Sequence, residues 1–260
     1  MVEPYPAVEP YQSGLLPVTD GHIVYWERTN TTARLVADIE RLREYLGIDR
    51  WVVVGVSWGV TLGLVYAQCH PERVIGMVLG AVTSGTRRET DWITRDMGRI
   101  FPREWEQFAA AVPAAERDGD LAGAYTRLLG DPDPRIRDGA ALQWCIWEDT
   151  HVSLMPGWAP RLQYWDATYR LIFARLVTHY WSHGCFLTAN QIRNGMDRLG
   201  AIPAVLIHGR YDVSGPLDTA WQLRRAWPAS RLVVVDDAGH GGGSFTSELI
   251  TALNSFRVLT

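Results

Sequence analysis

The sequence contains no lysine; all 25 of its basic residues are arginine. That absence excludes a Schiff-base lysine, a pyridoxal-phosphate anchor and the phosphate-gripping lysine of a Walker loop. A GC-rich genome accounts for the bias without a functional cause, and the four asparagines fit it. Cysteine is scarce as well. Cys69, Cys145 and Cys185 are far apart, odd in number and form no C-x-x-C pair, which argues against a disulfide scaffold or a cysteine-based zinc site. Charge of one sign is lacking too: 25 arginines against 29 acidic residues leave a net charge of −4. Neither a nucleic-acid nor an anionic-membrane partner is suggested. The opening stretch MVEPYPAVEPYQSG has no basic n-region and no apolar h-region, so no signal peptide is expected. The one long uncharged run, residues 51–69, is broken by Gly55-Val56-Ser57-Trp58-Gly59 and reads as a strand and a helix rather than a membrane span. A reduced, cytoplasmic protein is the expectation.

What is present suits a globular fold. With 260 residues, 47% hydrophobic and 21% charged, the chain has material for one large α/β domain or a core with an inserted lobe. Residues 15–18 and 22–27 flank Asp20-Gly21, a hairpin turn signal. Thr31 or Thr32 offers an N-cap to an amphipathic helix with Leu35, Ile39, Leu42 and Leu46 on its apolar face, stopped by Gly47. The continuous apolar run 51–54 carries the mark of a strand buried on both faces of a parallel sheet. A helix from about Val60 ends at His70-Pro71, and residues 74–79 read as the next strand. Such β–turn–α units point to an α/β sheet. From about 87 to 199 helical patterns dominate, and seven of the 12 tryptophans fall there. Strands at 205–208 and 232–235, with helices after Gly215-Pro216 and over 245–256, restore the α/β pattern. The expected organisation is a core (1–86 and 200–260) interrupted by a helical cap (87–199).

Gly55-Val56-Ser57-Trp58-Gly59 matches G-x-S-x-G at the junction of a strand and a helix. In that context the serine sits on a strained turn, its hydroxyl lifted above the sheet at a helix N-terminus. A serine nucleophile needs a base, and the base an acid to orient it. The chain order serine, acid, histidine is met by Asp212, after the strand at 205–208, and His240, after the strand at 232–235. Both follow the carboxyl ends of parallel strands, where open α/β sheets place their chemistry. Taken singly, Asp212 reads as a turn cap and His240 as a loop histidine; the ordered set of three favours a triad. Asp236 and Asp237 read as strand-end residues, His179 and His183 as packed or solvated residues of the insertion, and His208 as locally bonded.

With these residues in hand, the chain resembles the proline iminopeptidase (prolyl aminopeptidase) family of α/β hydrolases. The resemblance runs through Asp38-Ile-Glu-Arg-Leu-Arg43, Gly55-Val-Ser-Trp-Gly-Val-Thr-Leu62, His70-Pro-Glu-Arg-Val74, Trp144-Cys-Ile-Trp-Glu148, His208-Gly-Arg-Tyr-Asp212, Ala220-Trp221 and Asp237-Ala-Gly-His240. It implies an α/β-hydrolase fold with a helical cap. The implied reaction is cleavage of N-terminal proline from a small peptide or amide, without metal or organic cofactor. It also implies acidic cap residues that hold the substrate's amino group, one matched by Glu148, with Trp147 and Tyr180 beside the substrate. Three departures stand out. Val56 replaces a second glycine of the family's elbow. Val177, in Ala174-Arg-Leu-Val177-Thr-His-Tyr180, replaces the second acidic residue.

The third departure is a gap. Only residues 29–54 separate the hairpin from the elbow, where the family also places two sheet strands and an HGGPG oxyanion loop. Six strands therefore remain where the fold usually has eight, and the central sheet is truncated. One backbone donor to an oxyanion survives, the Trp58 amide; losing the other costs about 10² to 10³ in rate. The stretch His240-Gly-Gly-Gly243 resembles an oxyanion loop in composition. The gap also turns the strand at 51–54 into a sheet edge, which invites pairing. A homodimer over that edge, a partner protein or a hairpin moved inward would each repair it.

Overall fold

The computed structural model describes the backbone of residues 14–18 and 22–26 and the whole of residues 31–256. Two units result. In the first, β1 (Gly14–Val18) pairs antiparallel with β2 (His22–Trp26), Val18 opposite His22. The expected turn at Asp20-Gly21 and the opening stretch 1–13 lie outside the described residues.

The second unit begins with α1 (Thr32–Tyr45), whose N-cap is Thr31; its hydroxyl accepts from the Arg34 amide. The buried row of this helix is Thr32, Val36 and Arg43, with Ile39 partly covered. Leu42 and Leu46, expected to face inward, are 52% and 54% exposed. The register is turned because Arg43 is anchored: its guanidinium grips Glu40 and the Ile48 carbonyl. Glu40 in turn accepts from Tyr66, whose hydroxyl accepts from Trp51 Nε1. That chain of bonds ties α1 to the next helix and strand, so a salt-bridged arginine takes an inward position that periodicity assigned to leucine. Arg43 holds the Glu40 carboxyl down at about 2.

Four parallel strands follow in the order β3 (Trp51–Val56), β4 (Val74–Gly80), β5 (Ala204–Gly209), β6 (Ser230–Val235). They alternate with α2 (Trp58–Cys69), α9 (Leu217–Ala226) and α10 (Phe245–Phe256). The long excursion between β4 and β5 carries α3 (Arg87–Thr94), α4 (Pro102–Ala110), α5 (Leu121–Leu129), α6 (Pro134–His151), α7 (Ala167–Ser182) and α8 (Gln191–Asn194).

The two-residue period of the strands sorts the core into two layers. Met77, Leu79 and Leu206 face α1, α2 and α9 with Leu64, Leu223 and Trp227. Val78, Val205 and Ile207 face α10 with Phe245, Ala252 and Phe256. The excursion has a third core of its own, an aromatic stack of Phe108, Tyr125, Trp144 and Trp147. It occupies the stretch where the helical cap is expected.

The expectation that β3 is buried on both faces is corrected by its place in the sheet. Among the described residues β3 pairs only with β4, and Val54 and Val56 are 50% and 42% exposed. Beside it runs an apolar groove of about 260 Å³ lined by Ile39, Trp51, Val53, Val54, Leu62 and Tyr66.

Candidate active site

The turn from β3 into α2 holds Ser57 at φ 56°, ψ −123°, a conformation that non-glycine residues rarely adopt and that costs about 1–3 kcal/mol. Its amide donates to the Gly80 carbonyl at 2.9 Å, tying the turn to the end of β4. A Cβ on Gly55 would stand 2.3 Å from the Gly59 carbonyl oxygen, so the helix approaches this closely only over glycine. Gly59 differs: a Cβ there meets nothing within 4 Å among the described residues, and the glycine lines the groove beside β3. The two outer glycines of the motif are thus not equivalent.

Asp212 and His240 stand on the loops after β5 and β6. Those loops are stapled together by the Tyr211 amide, which donates to the Ala238 carbonyl. They cross at Gly209, where a Cβ would lie 2.0 Å from the Gly239 carbonyl oxygen. His208 fixes the acid loop from below. Its Nδ1 accepts from the Val82 amide at 3.0 Å and its Nε2 lies 2.7 Å from the Gly215 carbonyl, so the neutral tautomer with hydrogen on Nε2 satisfies both. Burial lowers its pKa against the pull of Asp212.

The structure brings Ser57, His240 and Asp212 into one line. His240 Nε2 lies 3.1 Å from Ser57 Oγ and His240 Nδ1 lies 2.9 Å from Asp212 Oδ2. With hydrogen on Nδ1 donated to the carboxylate, the Nε2 lone pair faces the serine hydroxyl. Asp212 is 6% exposed. Burial pushes its carboxyl up, but the charge and hydrogen bond of His240 outweigh this and hold it at about 2. Burial likewise pulls His240 down, yet the Asp212 charge and bond leave its imidazole above the ordinary histidine value. A residue the sequence reading did not single out completes the group. Ser214 Oγ donates to Asp212 Oδ1 at 2.7 Å and lies 2.9 Å from His240 Nδ1. Only its position two residues beyond the acid signalled it.

Trp58 opens α2, so its amide belongs to the first turn, whose N–H groups have no acceptor within the helix. Its indole packs on Tyr180, ring centroids 4.7 Å apart. Glu148 is mostly buried; its Oε1 accepts from Trp144 Nε1 and its Oε2 lies 3.3 Å from His151 Nε2. Trp147 is not brought to the site. Its indole is 1% exposed in the cap core, stacked on Phe108 and donating to the Ile93 carbonyl, so packing claims it. Val177 packs against the same cap core. Gly242 and Gly243 are taken up by the turn, pressed on Pro156 and on Asp237. His183 bonds the His179 carbonyl at the end of α7, Asp236 pairs with Arg210, and Asp237 caps Ser244. Among the described residues no group of three or more histidine, cysteine or carboxylate side chains is placed to hold a metal, and no helix is long and apolar enough to cross a membrane.

Comparison with known proteins fits this geometry. The sequence model of the alpha/beta hydrolase fold matches residues 19–243. A probable proline iminopeptidase of Streptomyces coelicolor is 38% identical over 310 aligned positions that span 95% of each chain. One of Leptolyngbya boryana is 36% identical, over 97% of this chain and 96% of its own. The proline iminopeptidase of Neisseria gonorrhoeae is 42% identical over 81% of this chain and 67% of its own. An alignment of 310 positions against a chain of 260 residues leaves at least 50 positions of the Streptomyces relative without a counterpart here. Among solved structures, MGS-M2, an alpha/beta hydrolase from a deep-sea metagenome library, superposes with a TM-score of 0.54 at 15% identity, covering 92% of this chain and 80% of its own. VinJ does so at 0.53 and 18%, over 88% and 73%. At such identities the likeness is one of fold.

Proposed function

The chain belongs to the proline iminopeptidase family of α/β hydrolases and is a serine hydrolase of that family, and from this premise we propose that it releases N-terminal proline from a short peptide or proline amide through an acyl-enzyme. The line of contacts from Ser57 to His240 to Asp212 carries the reading. Ser57 Oγ attacks the scissile carbonyl carbon while His240 Nε2 takes its proton. Asp212 holds the imidazole in the required tautomer and stabilises the imidazolium. The Trp58 amide donates to the oxyanion as it forms. His240 then gives the proton to the leaving nitrogen, the C–N bond breaks, and an ester on Ser57 remains. Water attacks that ester, His240 takes the water's proton, and the proton passes to Ser57 Oγ as the C–O bond breaks. In this reading Glu148, mostly buried on α6 and felt electrostatically at His240, attracts the substrate's ammonium group, with Tyr180, packed on Trp58, beside the substrate. A reduced, cytoplasmic setting belongs to the same reading and is supported by three unpaired cysteines.

A second reading is hydrolysis of a non-peptide ester or amide. It is supported by Val177, which cannot pair with an ammonium group, and by the single surviving oxyanion donor. Intact mass after a fluorophosphonate probe, compared with Ser57→Ala, tests the shared chemistry. One adduct lost in the variant is expected, and proline arylamides against uncharged esters then separate the two readings. No adduct on folded protein would defeat both and leave a binding role for the pocket.

A further inference from the structure

Glu148 and His151 form a pair on the last turn of α6 that the triad does not use. Glu148 has one well-made bond, from Trp144 Nε1 at 3.0 Å. Its other oxygen faces His151 Nε2 at 3.3 Å. The His151 side chain is 5% exposed, and neither of its nitrogens has a hydrogen-bond partner among the described residues. A buried carboxylate requires a counter-charge or donor. The chain has no lysine to provide one, and among the described residues the basic side chain found within 4 Å of Glu148 is His151.

The surrounding charged and titratable groups come from three places. Asp149 and Cys145 lie on α6 itself; Asp149 Oδ2 accepts from the Arg161 amide while its Oδ1 is buried without a partner. Arg161 and Tyr164 come from the stretch that follows, where the guanidinium is occupied with the Tyr164 hydroxyl. His240 faces the pair from the core and feels the Glu148 charge. The segment after α6 packs directly on the His240 loop, Met155 against Gly239 and Pro156 against Gly242. The pair therefore stands on the last turn before the segment that packs on the His240 loop.

We propose that His151 is the residue that sets the charge preference of this pocket. Its imidazole lies against the Glu148 carboxylate, and a substrate ammonium group has to share that carboxylate with it or displace it. With Val177 in place of a second carboxylate, that exchange at Glu148 decides between a cationic and an uncharged acyl group. The inference rests on the reading that the cap receives the acyl side of the substrate.

Calorimetric binding in the Ser57→Ala background tests it without turnover. The probes are L-prolinamide and cyclopentanecarboxamide, which differ in shape by little more than the ammonium group. His151→Gln keeps a neutral donor beside Glu148, and His151→Arg places a fixed cation there. The affinity ratio of the charged to the uncharged amide is expected to rise severalfold in His151→Gln. It should fall at least about tenfold in His151→Arg, the scale of one charge-assisted hydrogen bond. Opposite signs from two substitutions at one position are beyond a merely structural role. A ratio that moves the same way in both, an equal loss for both amides, or no binding of either amide to the parent would overturn the proposal. Should Arg fail to fold, an unchanged or lowered ratio in Gln overturns it alone. Proline arylamide turnover is measured separately on the Ser57 protein; its absence beside the expected ratios would defeat the hydrolase reading and leave this one standing.

Discussion

Ser214 Oγ donates to the Asp212 carboxylate at 2.7 Å, on the oxygen that His240 does not use. With the Gly215 amide on the same oxygen, this division of labour leaves Oδ2 aimed at the imidazole. Ser214→Ala is expected to slow fluorophosphonate labelling about tenfold, the scale of one hydrogen bond to a charged group. Its acid limb should move to higher pH, because a carboxylate relieved of a donor pulls harder on the His240 proton. Ser214→Thr should restore both. Labelling rates against pH decide, and an unshifted limb with a lowered rate would reduce Ser214 to packing.

The Asp212 charge sets the pH range of the reaction. Because His240 is held above the ordinary histidine value of 6.5, the fraction with a free Nε2 lone pair, and with it the rate, should rise through a pKa above 6.5. Asp212→Asn removes the charge; the limb should move to lower pH, with a rate lost by about 10³ to 10⁴. The stability contribution of the acid runs in the same direction, at lower pH. The Asp212 carboxyl is depressed from 3.8 to about 2, so its contribution is full above 3.8 and is lost as pH falls through about 2. Acid unfolding of the two proteins, followed by tryptophan fluorescence, should converge below that point.

The outer glycines of the elbow should respond differently to alanine. Gly55→Ala would drive a methyl to 2.3 Å from a backbone oxygen, and loss of labelling with a falling melting temperature is expected. Gly59→Ala adds a methyl that meets no described residue within 4 Å and should leave both within experimental error. A large effect at Gly59 would mean that the groove beside β3 is occupied in solution.

An unpaired, apolar edge strand is a template for association. Val54 is half exposed on β3, and Val54→Lys should lower any concentration-dependent self-association seen in sedimentation velocity while leaving the labelling rate unchanged. Identical sedimentation of both proteins as monomers would dismiss the edge as an interface.

Much of the core was legible because local chemistry and tertiary role agree there. Thr31 caps α1, Gly47 takes φ +64° after it, and the last helix spans Phe245–Phe256 as its periodicity indicates. Where the reading failed, a distant partner had decided. Arg43 is inside because Glu40 and Ile48 receive it. The apolar run 51–54 reads as a doubly covered strand, yet among the described residues β3 pairs on one side only, the sheet edge that the gap before it leads one to expect. Trp147 and Glu148 are adjacent in sequence, yet the helix turns one into the cap core and sets the other against His151. Ser214 and His151 show as polar residues of no particular kind until the loops that surround them close.

The strand order has a kinetic consequence. β3 pairs with β4 and β5 with β6 over short separations, whereas β4 meets β5 only after the chain has traversed the entire cap. Closing so long a loop is the entropically slow event. Ser57 belongs to the first pair of strands, and Asp212 and His240 to the second. In refolding, the return of a reactive serine is therefore the signal that the two halves have joined, and it should lag the recovery of helical circular dichroism.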